Sequence, residues 1–315
     1  MTPLVSPVPA ATRGGLTDRE QAIARSVSYA SIFDYPLTLG QLRQTLIESR
    51  QTPTEILDTY SSSAALQGEV VFKDGFFFLR GREDTVPERH VREARSRAFL
   101  DAHRTLLSVV SAMPFVRMVA LSGSVAHLNL EGTGDLDLCI VTRGRRVWSV
   151  TVATILIAKL LGQRQTLCAN FVVADSRLTL EPEDLFTASQ VIHLKPIVGA
   201  DVYSRLLNSN PFVRRFYPNF HARVGRPGRS LREAATHTAK RAAEALLLVP
   251  SMAAEGMCRV AYRAYLLRRA STWLSPDQVC LDRDLLKLHT HSHRGRVLAR
   301  FGELASGTSK CHRPS

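Results

Sequence analysis

Three short apolar runs between residues 116 and 174 constrain the fold of this 315-residue chain more than any other feature. Their length and their content of Val, Ile and Leu are typical of buried strands. A short helix is expected to begin near Ser124, between the first two runs, and a longer apolar helix is expected over residues 147–161. This pattern predicts a compact βαβαβ-like unit. The three strands are expected at residues 116–121, 135–141 and 166–174.

The residues before this unit predict three helices followed by a β-hairpin. Each helix has a capping box, in which a Thr at the N-cap is followed three residues later by Glu or Gln. The Asp74-Gly75 pair between two apolar runs is a good hairpin signal. The order helix, helix, helix, hairpin is typical of a winged helix. The capping boxes are Thr17 with Glu20, Thr38 with Gln41, and Thr52 with Glu55, where Pro53 takes the first helical position.

The rest of the chain is predominantly helical in pattern. One helix is expected over residues 83–112, and an exposed link is expected at residues 225–230. Beyond Glu181 helices are expected almost throughout, at residues 184–193, 201–207, 231–248, 253–267 and 294–304. We therefore predict a disordered N-terminus (1–17), a winged-helix-like domain (18–82), an α/β core (83–180), a basic helical C-terminal region (181–305) and a disordered tail (306–315).

The composition is that of a globular chain whose charge is unevenly distributed. Apolar residues make up 45% and charged residues 22%, which excludes wholesale disorder. Residues 1–203 contain 21 Lys and Arg against 21 Asp and Glu, whereas residues 204–315 contain 20 against 7, so the net charge of +13 arises in the last third. This asymmetry suggests an anionic partner there, such as nucleic acid, the phosphates of a nucleotide or an acidic protein. A solvated Arg-rich helical surface is the alternative.

The cysteines and the apolar segments favour a cytoplasmic protein without a membrane span. The five cysteines include no Cys-x-x-Cys pair, which indicates neither a disulfide framework nor a zinc module and fits a reducing compartment. The N-terminus lacks a basic start followed by an apolar block, so no signal peptide is expected. Residues 147–161 are apolar but include Lys159 and fall short of the about 20 residues that a span needs. A buried helix is predicted there.

Two acids stand one residue apart at the head of the second strand. The side-chain period of a strand places Asp135 and Asp137 on one face, about 7 Å apart at Cα, and Leu136 and Leu138 on the other. Two carboxylates on one side repel each other unless a cation lies between them, and a hard ion such as Mg²⁺ suits oxygen ligands. Metal clamps of this kind serve in-line displacement at phosphorus. Two solvated acids on a strand edge are the alternative.

Gly123 and Ser124 stand where the first strand gives way to a helix. Gly lets the backbone approach a phosphate closely, and the amides of the first helical turn then face the anion with the support of the helix dipole. The hydroxyl of Ser124 adds a donor. One element is therefore expected to hold phosphates and the next to hold the metal that bridges them, which is most of what nucleotidyl transfer requires.

The stretch LSGSVAHLNLEGTGDLDLCIVT, residues 121–142, resembles the signature of the DNA polymerase β-type nucleotidyltransferase superfamily. That signature is an apolar residue, Gly, Gly or Ser, about nine to thirteen residues, and then Asp-apolar-Asp/Glu-apolar. The wider chain, over roughly residues 20–305, resembles a set of bacterial nucleotidyltransferase-domain proteins. The shared features are FDYPLT (residues 33–38), FVRMVALSGS (residues 115–124), Cys168-Ala169-Asn170, and Thr187-Ala188.

The resemblance implies an α/β (α+β) fold in which a nucleotidyltransferase core with a small mixed sheet joins the winged-helix-like domain to the helical C-terminal region. It also implies a Mg²⁺-dependent reaction, in which an acceptor hydroxyl attacks the α-phosphorus of an NTP and pyrophosphate leaves. Gly123 and Ser124 would hold the triphosphate, and Asp135 and Asp137 would ligate the metal. The resemblance identifies neither the acceptor nor the preferred NTP.

One position departs from the family's pattern. Active members usually carry a third acid on the next strand, which helps to bind a second metal and deprotonates the acceptor. The equivalent catalytic position here is Asn170. An amide can coordinate through its oxygen but cannot act as a base. Asp175, just past that strand, is an inferior substitute. Two alternatives follow: a catalytically degenerate nucleotide-binding or scaffold protein, and a DNA-binding regulator that uses the winged helix.

Several histidines and basic residues are further candidates. His289, His291 and His293 alternate and could bind a transition metal, although a solvated cluster is the simpler interpretation. Lys195, close to His193, either reaches the nucleotide or stabilises a helix C-terminus. The remaining candidates are Arg143, Arg145 and Arg146, which face substrate or cap a loop, and Lys73 and Arg80 on the hairpin, which could meet DNA.

Overall fold

The computed structural model describes residues 15–222 and 231–305, which form a mixed α/β protein with two β-sheets. The elements of its N-terminal unit are α1 (Asp18–Ser31), β1 (Leu37–Thr38), α2 (Leu39–Gln44), α3 (Pro53–Ser62), α4 (Ala64–Glu69), β2 (Val70–Lys73) and β3 (Phe76–Leu79). The three strands form an antiparallel sheet in the order β1-β3-β2. The disorder expected at residues 1–14 and 306–315 and the link expected at residues 225–230 lie outside the described residues.

The local sequence signals of this unit are confirmed, but the structure adds a fourth helix, α4, before the hairpin and a short strand, β1, to the three helices and the hairpin that the sequence predicts. The three N-cap threonines each accept the amide of the third helical residue, whose side chain accepts the threonine's own amide, at the starts of α1, α2 and α3. Asp74 and Gly75 have φ values of 53° and 81°, as a two-residue hairpin turn requires. Leu16 is buried and Thr17 caps α1, so the disorder expected of the N-terminus does not extend to them.

Two helices, α5 (Thr85–Ala102) and α6 (Arg104–Ala112), replace the single helix expected over residues 83–112. The break lies at His103. Its imidazole contacts the carbonyl of Phe99 at 2.8 Å and the hydroxyl of Thr166 at 3.1 Å, and Thr166 lies 63 residues further along the chain. A local apolar pattern could not reveal this break because its partner is remote.

The elements that follow are β4 (Val116–Leu121), α7 (Gly123–Ala126), β5 (Leu136–Thr142), α8 (Val147–Leu160), β6 (Leu167–Ala174), α9 (Leu185–His193), β7 (Lys195–Val198), α10 (Ala200–Asn208), α11 (Phe212–Phe216), α12 (Leu231–Leu246), α13 (Leu248–Arg268), β8 (Val279–Leu281), β9 (Leu285–Leu288) and α14 (Arg294–Ala305). The expected strands and helices between residues 116 and 174 are confirmed. They belong to a six-stranded mixed sheet in the order β7-β4-β5-β6-β9-β8. The β5–β6 pair is parallel and the other four pairs are antiparallel.

The expectation of helices almost throughout beyond Glu181 is wrong in one respect. The expected helices are present, but β7, β8 and β9 join the same sheet as β4, β5 and β6. These strands have three or four residues each, too few to show an alternation, and β7 contains Pro196, which an edge strand tolerates. The sheet therefore takes strands from both sides of the boundary that the sequence places at residue 180.

The sheet lies between two apolar layers, and strand alternation decides which side chains face each layer. Leu136 and Leu138 are buried with α6 and α8 on one face, as the alternation predicts. Cys139 and Val141 are buried with α9, α10 and α11 on the other face. Asp137 precedes Cys139 by two residues on the same strand and therefore faces the second layer.

Two buried glutamates fix α12 and α13 to the core. Glu244 accepts hydrogen bonds from the amide of Phe115 at 2.8 Å and from two nitrogens of Arg117 at 2.7 Å each. Glu255 accepts the amide of Trp148 at 2.9 Å and so stabilises the start of α8. Burial works to raise the pKa of the Glu244 carboxyl, but the hydrogen bonds from Arg117 and Phe115 outweigh it and hold that pKa at about 2. The C-terminal region, although rich in Lys and Arg, therefore contacts the core through two of its few acidic residues.

Candidate functional site

The chain turns sharply at Gly123, where β4 gives way to α7. Gly123 has a φ of 64°, in the left-handed region that favours glycine. A Cβ here would lie 2.3 Å from Oδ2 of Asp137, so the approach of the next strand also excludes a side chain. The amide of Ser122 donates to the carbonyl of Asp137 over 2.9 Å. The glycine turn is therefore packed directly against the acidic strand.

The helix that follows this turn is a single turn long. It begins at Gly123, next to the start expected near Ser124, but it contains only four residues. A helix dipole is the sum of aligned peptide dipoles, so a single turn adds little of the support that the sequence suggested. The donors that remain are the first amides of α7, which have no acceptor within the helix, and the exposed side chain of Ser124.

Asp135 and Asp137 lie on the same face of the sheet, as the alternation predicts. Asp135 is exposed just before β5, and Asp137 is half-buried within the strand. Burial, and to a lesser degree the neighbouring charge of Asp135, raises the pKa of Asp137 from 3.8 to about 6, although a hydrogen bond from Asn170 opposes the rise. The ionised form of Asp137 is thus unfavourable unless a cation lies next to it, because the hydrogen bond from Asn170 only partly offsets burial and the charge of Asp135.

Asn170 occupies the position where a third acid is expected. Its Nδ2 donates to Oδ1 of Asp137 over 2.8 Å. Asp137 pairs with Cys168 and Cys139 pairs with Phe171, so β6 has one residue more than β5 between these two pairs. The additional residue forms a β-bulge in β6. The bulge allows Asn170 and Phe171 to face the acidic side of the sheet together. The group beside Asp137 is therefore an amide.

Cys168, which the sequence presents only as part of the family resemblance, is a further neighbour of the two acids. It pairs with Asp137 across β5 and β6, and its thiol hydrogen-bonds to Asp135. Burial, followed by the charges of Asp135 and Asp137, raises the pKa of this thiol to about 12, so it stays protonated. Its place two residues before Asn170 was the available signal, because strand alternation puts both on one face.

Asp175 cannot replace the missing acid. Its Oδ1 accepts the amide of Gly144 at 2.8 Å, and its own amide donates to the carbonyl of Thr142 at 2.9 Å. These contacts place Asp175 at the C-terminal ends of β5 and β6, whereas Asp137 lies at the start of β5. Five residues of strand separate Asp175 from Asn170, a distance of about 17 Å. The suggestion that Asp175 substitutes for the third acid is therefore wrong.

Asp135 and Asp137 could hold one divalent cation with the help of a ligand. Mg²⁺ is commonly bound by one or two carboxylates and completes its shell with water and substrate phosphates. The two acids, beside a glycine turn that leaves no side chain in the way, fit that requirement. Within residues 15–222 and 231–305 no group of three or more His, Cys, Asp or Glu side chains is placed to hold a metal by itself. A cation here would depend on phosphate oxygens.

The segments that carry the family resemblance converge on this site. Tyr35 of FDYPLT packs edge-on against His127, which follows α7, with ring centroids 5.9 Å apart. Asn129 donates to the carbonyl of Phe33 in the same segment over 2.8 Å. Thr187 of α9 faces a cleft beside the acids. The N-terminal unit and α9 therefore both support the region around α7.

This cleft lies between the sheet and α9. Its cavity volume is about 90 Å³, which is small beside the usual range for small-molecule sites, and its mouth is open to solvent. Cys139 and Phe171 of the sheet line it, together with Ser122 and Phe186. Because Cys139 follows Asp137 by two residues on the same face, the cleft begins about 7 Å from the acid along β5. Sequence reasoning missed it because its walls come from segments far apart in the chain.

The other candidate residues are placed as follows. The ring of His193 lies against that of His127, with centroids 4.0 Å apart and the planes tilted by 39°. Its Nδ1 lies 2.8 Å from the carbonyl of Ser189. Burial lowers the pKa of His193 to about 4 and that of His127 well below its usual value, so both rings are neutral at pH 7. Lys195 begins β7 opposite Leu121 and does not end a helix.

The basic residues after the acidic strand lie away from the two acids. Arg143, Arg145 and Arg146 follow the C-terminal end of β5, where they contact Glu244, Asp284 and Ser251 respectively. Of the alternating histidines, His289 lines the cleft, whereas His291 and His293 are exposed. On the hairpin, Lys73 is exposed and Arg80 donates to the carbonyl of Gly68 over 2.9 Å.

Helix α8, the apolar segment between β5 and β6, is fourteen residues long, and six of its residues are buried. In the described parts of the chain, no helix combines the length and the apolar character that crossing a membrane demands. Comparisons of the chain with protein-family models, with curated proteins and with solved structures found no match.

Proposed function

We propose that this chain is a DNA polymerase β-type nucleotidyltransferase that binds an NTP with Mg²⁺ and transfers its nucleoside monophosphate slowly to a hydroxyl acceptor. The observation that carries the proposal is the packing of the Gly123 turn against Oδ2 of Asp137. It puts backbone amides suited to phosphate and a carboxylate suited to Mg²⁺ on adjacent strands, so that one triphosphate can meet both.

The proposed roles follow from where each group lies. The amides of Gly123 and Ser124, with the hydroxyl of Ser124, orient the triphosphate. Asp135 and Asp137 hold Mg²⁺, which supplies neutralisation of the phosphate charge when it is bound. The acceptor oxygen forms a bond to the α-phosphorus, the bond from that phosphorus to the bridging oxygen of the β-phosphate breaks, and pyrophosphate leaves.

Slow transfer follows from Asn170. The acceptor hydroxyl must lose a proton, and an amide cannot take it. The proton therefore passes to solvent, and the chain forgoes the roughly 10²- to 10⁴-fold acceleration that a positioned base gives. Asn170 instead positions the carboxylate of Asp137 through its hydrogen bond.

The same contact favours a second candidate, a nucleotide-binding or scaffold protein without turnover. Incubation with NTPs labelled at the α-phosphate, together with RNA ends, protein hydroxyls and small polyols, distinguishes the two. Transfer of label that Asp135→Asn abolishes supports the enzyme. Mg²⁺-dependent binding without transfer supports the second candidate, and neither binding nor transfer contradicts both.

The flanking regions are assigned by the same proposal. The four helices and the hairpin of the N-terminal unit are winged-helix-like. The contacts of this unit through Phe33 and Tyr35, which lie between α1 and β1, suit a positioning module for α7 better than a DNA-binding one. The net positive charge of residues 204–315 suits a polyanionic acceptor such as RNA, or an acidic protein. A steep loss of affinity for nucleic acid with added salt would support the former. Cytoplasmic location remains an expectation from the cysteines.

A further inference from the structure

The cleft between the sheet and α9 is placed where the sugar and base of a bound nucleotide must extend. Its nearest wall, Cys139, lies one pleat beyond Asp137 on the same face of β5, about 7 Å along the strand. Ser122, which also lines the cleft, is the residue directly before the Gly123 turn. The rest of a ligand whose phosphates lie at the turn and the acids would therefore be next to the cleft.

The walls of the cleft suit a flat, weakly polar group. Phe171 lines it from the sheet and Phe186 from α9, and aliphatic side chains of α9 and α10 complete its inner end. Aromatic side chains give stacking faces to nucleobases of every kind. The bulge that brings Asn170 to Asp137 is the same feature that turns Phe171 toward this space.

A few hydrogen-bonding groups stand among these apolar walls. Thr187 and Gln190 of α9 supply a hydroxyl and an amide, and His289 supplies an imidazole. The charged side chains of Glu181, Lys287 and Arg294 also line the cleft. Burial, followed by the charge of Lys287, lowers the pKa of His289 to about 4, so the ring is neutral at pH 7 and presents one donor and one acceptor. Neutral donors and acceptors on an apolar surface are the groups that recognise the edge of a heterocyclic base.

We propose that this cleft is the nucleobase site of the chain, with the base against Phe171 and its edge toward Gln190 and Thr187. The inference rests on the proposed binding of NTP at the acids and deepens it, because it assigns base recognition to the inter-layer cleft. An acceptor substrate in the same cleft is the competing occupant, and the test separates the two.

The test compares probes with and without a base. Calorimetric titrations with Mg²⁺ measure the affinity of ATP, GTP, CTP and UTP, and that of inorganic tripolyphosphate. We expect at least one NTP to bind about tenfold or more tightly than tripolyphosphate. Phe171→Ala, which removes a stacking face, and Gln190→Trp, which fills the cleft from the half-buried side of α9, should each abolish this difference and leave the tripolyphosphate affinity unchanged.

The controls separate this proposal from the one it rests on. Phe220→Ala removes a partly buried aromatic ring of the same apolar layer outside the cleft and should preserve the preference for NTP. Thermal melting identifies variants that fail to fold. If Phe171→Ala fails to fold, the result for Gln190→Trp alone tests the cleft proposal. If tripolyphosphate binds and Asp137→Asn abolishes that binding, but no NTP binds more tightly or the cleft variants change nothing, the cleft proposal is overturned and the proposed function stands. If neither probe binds, both fall.

Discussion

The side-chain amide of Asn170 donates a hydrogen bond to Oδ1 of Asp137 over 2.8 Å. A carboxylate in place of this amide would have repelled Asp137 unless a second cation lay between them. The amide thus stabilises the position of the Asp137 carboxylate, but unlike a carboxylate it cannot accept the proton of the acceptor hydroxyl. It connects the geometry of the site to the proposed rate of the reaction.

Asn170→Asp should therefore lower the stability of the fold without Mg²⁺ and raise the rate of nucleotidyl transfer with it. The added charge next to Asp137 should lower the free energy of unfolding at pH 7 by about 1–3 kcal/mol without Mg²⁺, because two carboxylates then share one half-buried site. Mg²⁺ should restore this loss and raise the rate of nucleotidyl transfer at least about tenfold. Denaturant titration with and without Mg²⁺ measures the first effect, and labelled NTP the second.

Asn170→Leu is the matched control because it removes the hydrogen bond without adding a charge. It should lose stability that Mg²⁺ does not restore. Equal responses of the two variants to Mg²⁺ would show that the residue at position 170 does not face a cation site.

Asp137→Asn should stabilise the protein at neutral pH in the absence of Mg²⁺. The pKa of Asp137 is raised from 3.8 to about 6 in the folded state, so the folded protein keeps a proton that the unfolded chain has released. The wild type therefore loses stability as pH rises from 3.8 to 6, and the gain from the substitution should grow over that window and stay constant above it. We expect a gain of about 1–3 kcal/mol, discounted for partial exposure.

Urea unfolding at several pH values between 4 and 8 measures this gain. Asp135→Asn, at the exposed neighbouring acid, should give a much smaller change. Destabilisation by Asp137→Asn across the whole pH range would mean that the carboxylate serves the fold and not a ligand.

Gly123→Ala should destabilise the protein and impair nucleotide binding, since the new Cβ would collide with Oδ2 of Asp137. Gly132→Ala is a close control: its φ is 72°, similar to the 64° of Gly123, but a Cβ there meets nothing within 4 Å. The control should cost only the backbone strain of about 1–2 kcal/mol. Thermal or chemical unfolding of both variants measures the difference, and equal losses would leave no energetic role for the contact between the turn and Asp137.

Glu244→Gln should loosen α12 from the core. Breaking this ion pair leaves the partly exposed Arg117 without its counter-ion, which costs about 1–3 kcal/mol. Because the pKa of Glu244 is lowered from 4.5 to about 2, its contribution is complete above pH 4.5 and is lost as pH falls toward 2. Acid unfolding curves should therefore differ most between wild type and variant above pH 4.5. Glu303→Gln, at an exposed pair with Arg300, should change stability by less than about 1 kcal/mol.

The parts of the fold that the sequence predicts correctly are those whose causes are local. Thr17, Thr38 and Thr52 cap helices through contacts three residues away, and the alternation around Asp137 is a property of one strand. The break at His103, the strands β7, β8 and β9 and the cleft beside Phe171 depend on partners far along the chain. Their local patterns are short or ambiguous, so tertiary contacts decide them.

The site divides in the same way. The turn at Gly123 and the two acids can be read from spacing, because each belongs to one element. The sequence offers Asn170 and, as an inferior candidate, Asp175 for the group beside Asp137. The choice depends on the bulge in β6 and on the position of Asp175 at the far end of that strand, which no local sequence pattern indicates.

In the proposed function, Asp137 and the Gly123 turn together hold Mg²⁺ and a triphosphate. The decisive experiment is a calorimetric titration of tripolyphosphate and of each NTP into the wild type and into Asp137→Asn, with Mg²⁺ and with EDTA. We expect the wild type to bind in Mg²⁺ and both EDTA and Asp137→Asn to abolish binding, while the variant still unfolds cooperatively. Failure of every probe to bind the folded wild type in Mg²⁺, or binding that neither EDTA nor the substitution affects, would contradict the proposed function.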